Sequence, residues 1–147
     1  MDTAIEEAMW FKKAGGDSIV DVSSIGLRRD PRALLAISQA TGLNIVMGAG
    51  YYIGKSHPVE IREKSKEEIA DLIIQEFEEG IKDTGITPGV IGEIGMPLFG
   101  IDEQEMKVLK ASAAAQKRSA ARSMSIPRFS KQRPMTYLML SQRKGQT

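Results

Sequence analysis

The chain has 147 residues and is 41% hydrophobic, enough for one globular domain with a sizeable core and too short for two. It has no cysteine and one histidine, His57, which excludes disulfides, thiolate chemistry and a His-cluster metal site built within the chain. The net charge of +1 hides a split: residues 1–105 hold all 19 acidic residues and a net charge of −9, while residues 106–147 hold no acid and a net charge of +10.

The elements read in order. Thr3-Ala4-Ile5-Glu6 has capping-box spacing and predicts a helix from about Ala4 to Gly15-Gly16. Ser18 to Val22 (SIVDV) reads as a short buried strand. Asp30-Pro31 is a strong helix start, because Asp caps free amides and Pro is pre-set for the first helical turn. That helix carries Leu34, Leu35 and Ile37 and ends at Gly42. Leu43 to Met47 is a second strand, and Gly48 to Pro58 a loop. Ser65-Lys66-Glu67-Glu68 is a second capping box, followed at helical spacing by Ile69, Leu72, Ile73 and Phe77. Val90 to Ile94 is a third strand. Asp102 and Glu105 can cap a last helix through about Lys117, with Met106, Val108, Leu109 and Ala113 on its apolar face. Short apolar strands alternating with amphipathic helices predict parallel β-α units.

Residues 118–147 read differently. Pro127 and Pro134 interrupt them, and the first half has no clean helical or strand period. This basic segment is expected to be loop or disorder, leaving residues 1–117 as the folded part. No apolar run is long enough to span a bilayer and no signal-peptide pattern opens the chain, so a cytoplasmic location without membrane contact is expected.

In parallel α/β folds, functional groups gather where strands end. GAGYYIG, Gly48 to Gly54, follows a strand but lacks the turn-into-helix form of a dinucleotide fingerprint, and no Walker-type phosphate loop occurs. Its tyrosines read either as local packing or as an aromatic wall of a pocket. Asp30 reads as a helix cap, and Arg28 and Arg29 as solvated or paired within the fold. His57, alone before Pro58, reads as an ordinary surface histidine. Glu93 is the sharpest signal. It lies within an apolar strand, between Gly92 and Gly95. A buried charge needs a partner. From spacing alone that partner is a buried Arg or Lys, or else Glu93 is a metal ligand or general base. The basic segment offers a contact for an anionic partner, but little aromatic interleaving and no nucleic-acid module.

Several stretches together resemble the phosphotriesterase family, and above all its phosphotriesterase-related branch. They are FKKAGGDSIVDVSSIGLRRDPRALLAISQATGLNIVMGAGYY, then His57-Pro58, EEIADLIIQEFEEGI, DTGITPGVIGEIG and EMKVLKASAAAQ, within about residues 5–117. The resemblance implies a (β/α)8 barrel with two divalent cations, usually zinc, that activate a hydroxide against a small ester, lactone or phosphoester. By this match Glu93 is similar to the carboxylate that bridges the metals, Tyr52 to an aromatic beside the substrate, and Leu27 lies in the loop near it. The fold expected is a partial (β/α)8 barrel holding about strands two to four with their helices.

The departures are equally specific. No His-x-His precedes residue 5, no histidine follows Gln116, and Arg28 stands where the family has glycine. The implied reading is a partial, catalytically inactive chain whose last thirty residues fall outside the family. Its open sheet edges favour self-association. The alternative reading is a non-enzymatic remnant that binds an anionic partner through its basic segment.

Overall fold

The computed structural model describes residues 1–96, 100–119 and 122–127, the last of these as backbone. The order is α1 (Asp2–Lys13), β1 (Ser18–Asp21), α2 (Pro31–Thr41), β2 (Asn44–Ala49), α3 (Val59–Glu63), α4 (Lys66–Glu79), β3 (Val90–Met96), α5 (Glu103–Ser119) and β4 (Arg122–Pro127). The four strands form one sheet in the order β1-β2-β3-β4, and each neighbouring pair is parallel. A helix or helices intervene between successive strands, as parallel pairing requires. The result is a section of a (β/α)8 barrel.

Local chemistry sets the helix ends. The Asp30 carboxylate accepts a hydrogen bond from the Ala33 amide, and Gly42 takes the left-handed conformation at φ 67 that closes α2. Ser65 and Glu68 form a full capping box at the start of α4. Asp102 and Glu105 do the same for α5: each carboxylate accepts from the other's amide. The box expected at Thr3–Glu6 is not used. Helix α1 starts earlier, with Met1 as its N-cap and no side-chain cap bond.

The core lies between the sheet and helices α4 and α5. Ile69 and Ile73 of α4, Ile91 and Ile94 of β3, and Val108 and Ala111 of α5 are buried together. Each large aliphatic side chain removed from water contributes about 1.5–3 kcal/mol before entropy is set against it. Leu72 and Phe77 pack on this cluster, whereas Ala113, expected on the apolar face of α5, is exposed.

A desolvated ion pair links three units. The Arg29 guanidinium, 5% exposed, meets the Glu76 carboxylate through two parallel hydrogen bonds of 2.7 and 2.6 Å. Its Nη1 also donates to the Gly48 carbonyl at 3.0 Å. The loop after β1, the body of β2 and helix α4 are thereby joined.

Two differences from the sequence reading matter. Strand β4 forms within a segment expected to be loop, so the sheet has four strands rather than three and continues past residue 117. Residues 128–147 lie outside the described residues. A short helix, α3, follows Pro58, and a 3-10 turn occupies Gly54–Ser56 inside the expected loop.

Candidate active-site rim

Glu93 lies near the end of β3, and the pairing of that strand explains where it points. Ile91 pairs with Ser123 and Ile94 with Ser125, so β3 spends three residue steps where β4 spends two. This is a β-bulge at Gly92-Glu93. Across two steps of a regular strand the side-chain face is restored, so Ile91 and Ile94 both face the helices, as their shared place in the core confirms. Glu93 falls between them and is turned to the other face. It is half-buried, and among the described residues its carboxylate has no hydrogen bond or ion pair.

The backbone of Glu93 is held from both sides by the loop after β1. Its amide donates to the Val22 carbonyl, and its carbonyl accepts from the Ser24 hydroxyl at 2.9 Å. Ser24 is 0% exposed. The next residue in that loop reaches the other strand end. Ile25 donates to the Gly50 carbonyl and accepts from the Tyr52 amide, each at 2.9 Å. Leu27 is half-buried and closes a turn by donating to the Ser24 carbonyl at 3.0 Å. The Tyr52 ring lies over Gly95: a Cβ there would sit 2.9 Å from the ring and 2.5 Å from Ile53. Glycine at 95 is therefore what lets the aromatic loop close onto β3. Glu93, Tyr52 and Leu27, singled out from sequence, are thus gathered on one rim through the segment Val22–Ile25.

The tyrosine pair divides its work. Tyr51 is buried in the core, and burial pushes its phenol up to about 12, with Glu76 adding to the effect and Arg29 opposing it. Tyr52 remains half-buried on the rim.

His57 corrects the surface reading. It is 5% exposed and packs edge-on against Tyr51, with ring centroids 6.2 Å apart. Its Nε2 donates to the Tyr52 carbonyl at 3.2 Å, which leaves Nδ1 as a buried acceptor without a partner among the described residues. Burial holds its pKa below the ordinary value, against the pull of the Tyr52 carbonyl, Glu105 and Asp102. Glu105 itself is buried and accepts from the Gly54 amide at 3.0 Å, tying the aromatic loop to α5. Arg28 is exposed and takes φ 57, a conformation that glycine adopts freely.

Sequence reasoning missed Ser24, Glu105 and the burial of His57. The pair Asp102/Glu105 was readable as a cap, but nothing in the local pattern shows that its second carboxylate oxygen reaches Gly54.

The sequence profile of the phosphotriesterase family matches residues 1–147. The chain belongs to the phosphotriesterase family. The match includes residues 118–147, which the sequence reading sets outside that family. The chain is 38% identical over 145 residues to an N-acetyltaurine hydrolase of Dictyostelium discoideum, covering 99% of this chain and 39% of the relative. It is 34% identical over 140 residues to the N-acetyltaurine hydrolase of Homo sapiens, covering 95% and 40%. A phosphotriesterase-related protein of Nematostella vectensis is 38% identical over 147 residues. The chain thus spans about two fifths of the length of these relatives.

Among solved structures, a resiniferatoxin-binding protein from Rhodobacter sphaeroides superposes with TM-score 0.80 at 41% identity, over 84% of this chain and 34% of that one. The phosphotriesterase homology protein of Escherichia coli, solved with phosphate in its active site, gives TM-score 0.80 at 26% identity, over 84% and 42%.

A phosphotriesterase-type pair of metal ions can be set against these side chains. Among the described residues no group of three or more His, Cys, Asp or Glu could hold a metal ion. His57 is committed to the Tyr52 carbonyl, and Glu93 stands alone. At this rim the described residues therefore supply Glu93 without a companion ligand and do not by themselves fit a two-metal centre. No helix among them is long and apolar enough to cross a membrane.

Proposed function

We propose that this chain is a section of a phosphotriesterase-type metal-dependent hydrolase and is inactive by itself. In this reading Glu93 occupies a metal-ligand position, zinc is the metal, Tyr52 lines the substrate pocket and Leu27 borders it. The observation that carries it is the Glu93 carboxylate, without a partner among the described residues and turned by a bulge away from the core and toward the rim where Tyr52 closes. A carboxylate that no described group pairs, at the end of a barrel strand, is available to ligate a cation there. The substrate class is a small ester, lactone or phosphoester. The relatives that act on N-acetyltaurine add small amides to that range. Strand β1 pairs only with β2 among the described residues, which favours self-association through its open edge.

The test is elemental analysis and zinc titration of the purified 147-residue chain beside Glu93→Gln. The expected result is far less than one zinc per chain as purified, no hydrolysis, and weak zinc uptake that Glu93→Gln abolishes. Uptake indifferent to Glu93→Gln overturns the ligand assignment. Stoichiometric zinc with turnover overturns the claim of inactivity.

A further inference from the structure

We propose that Ser24 is the positioning residue of this rim: its hydroxyl fixes the Glu93 peptide and, through the next residue, sets Glu93 relative to Tyr52. The inference deepens the metal-ligand reading of Glu93 and rests on it for its functional meaning.

The bulge at Gly92-Glu93 creates the need. A regular strand holds each side chain by the ladder on both sides, but a bulged residue drops out of that ladder. Strand β2 pairs with β3 only at Gly48↔Val90 and Ala49↔Ile91, so its ladder stops before Glu93. The pairing to β4 resumes only at Ile94. What holds Glu93 instead is the loop after β1, sixty-nine residues away in sequence from Ser24 to Glu93. The Val22 carbonyl takes its amide and the Ser24 hydroxyl gives to its carbonyl. Two peptide planes on either side of one Cα are thereby fixed, and with them the direction of the Cα–Cβ bond.

The same loop is tied to the aromatic side of the rim. Ile25 is bonded to Gly50 and to Tyr52, and the Ser24 carbonyl accepts from Leu27. One buried hydroxyl thus stands between three groups that must keep fixed distances from one another. Its complete burial means that no water replaces it when it is lost, so the Glu93 carbonyl is left without its donor.

The experiment is native-state amide exchange and side-chain three-bond couplings on the full 147-residue chain, for wild type, Ser24→Ala and Ser24→Thr. In Ser24→Ala the Glu93 and Tyr52 amides are expected to exchange roughly ten- to hundredfold faster, the factor that corresponds to losing a donor to a buried acceptor. Ile73 and Val108, deep in α4 and α5, keep their protection. The Glu93 couplings change from one dominant rotamer to an average. Ser24→Thr, which keeps the hydroxyl, stays near wild type at both amides. Equal acceleration at Glu93, Tyr52, Ile73 and Val108 would show a merely structural serine and overturn the proposal. So would Ala and Thr variants that behave alike at Glu93, because volume rather than the hydroxyl would then be acting. These readouts need no metal. If exchange follows the prediction while zinc uptake ignores Glu93→Gln, the ligand reading fails and the positioning role stands.

Discussion

Replacing Glu76 by glutamine isolates the energetics of the Arg29 pair. The substitution keeps the shape of the side chain and removes its charge. Arg29 is 5% exposed, so its guanidinium is left desolvated without a counter-charge, with only neutral acceptors, the Gly48 carbonyl and the new amide oxygen, within reach. Breaking a buried pair in this way costs about 3–5 kcal/mol, and the partial exposure of Glu76 places this case near about 3 kcal/mol. At about 2–4 °C per kcal/mol for a chain of this size, the melting temperature falls by about 6–12 °C. Urea unfolding followed by circular dichroism reads it directly: the midpoint falls and the slope holds. Arg29→Met with Glu76→Leu is expected to recover most of the loss, because an apolar pair of similar volume leaves no charge in the interior. The phenol of Tyr51 supplies an independent readout. Glu76 adds to the burial that pushes it up to about 12, so Tyr51 titrates lower in Glu76→Gln, as followed by absorbance. A cost below about 1 kcal/mol, the range of exposed pairs, would refute the desolvation argument.

Two further predictions concern the rim and its loop. The pKa of His57 is held below its ordinary 6.5, so below that pH the unfolded chain binds more protons than the folded one. Stability is complete above about 6.5 and is lost as pH falls through the folded value. The single histidine makes this readable by following its ring resonances beside urea midpoints, and a midpoint that rises on acidification from pH 6.5 would overturn it. Arg28→Gly is expected to stabilise the chain by about 1 kcal/mol, because φ 57 strains a residue with a Cβ and suits glycine. Arg28 makes no hydrogen bond or ion pair among the described residues, so a fall in the urea midpoint would show a contact that outweighs the strain.

Much of this was legible because the signals are local. Asp30-Pro31, Gly42 and the Ser65–Glu68 box each act within one helical turn; α2 starts and stops, and α4 starts, where they say. The alternation of short apolar runs with amphipathic helices was enough for a section of a barrel. Strand β4 is hard to read because only Met124 and Ile126 alternate with polar residues there, the stretch ends in proline, and its pairing with β3 supplies the rest. The burial of His57 escapes a sequence reading because it comes with the fold of the loop, which brings its ring edge-on against Tyr51 and its Nε2 to the Tyr52 carbonyl. Glu93 stood out as a lone carboxylate in an apolar strand. Its orientation did not, since the bulge exists only as a mismatch between two strands.

That mismatch has a consequence for how such a chain can change over time. Ile91 and Ile94 stay in phase with the helices although one extra residue lies between them. The core therefore does not register whether the strand has one residue or two at this point. A lineage could gain or lose a residue there, and so reshape what the rim presents, without repacking a single aliphatic side chain behind it. The bulge separates the part of the strand that history is free to edit from the part it must leave alone.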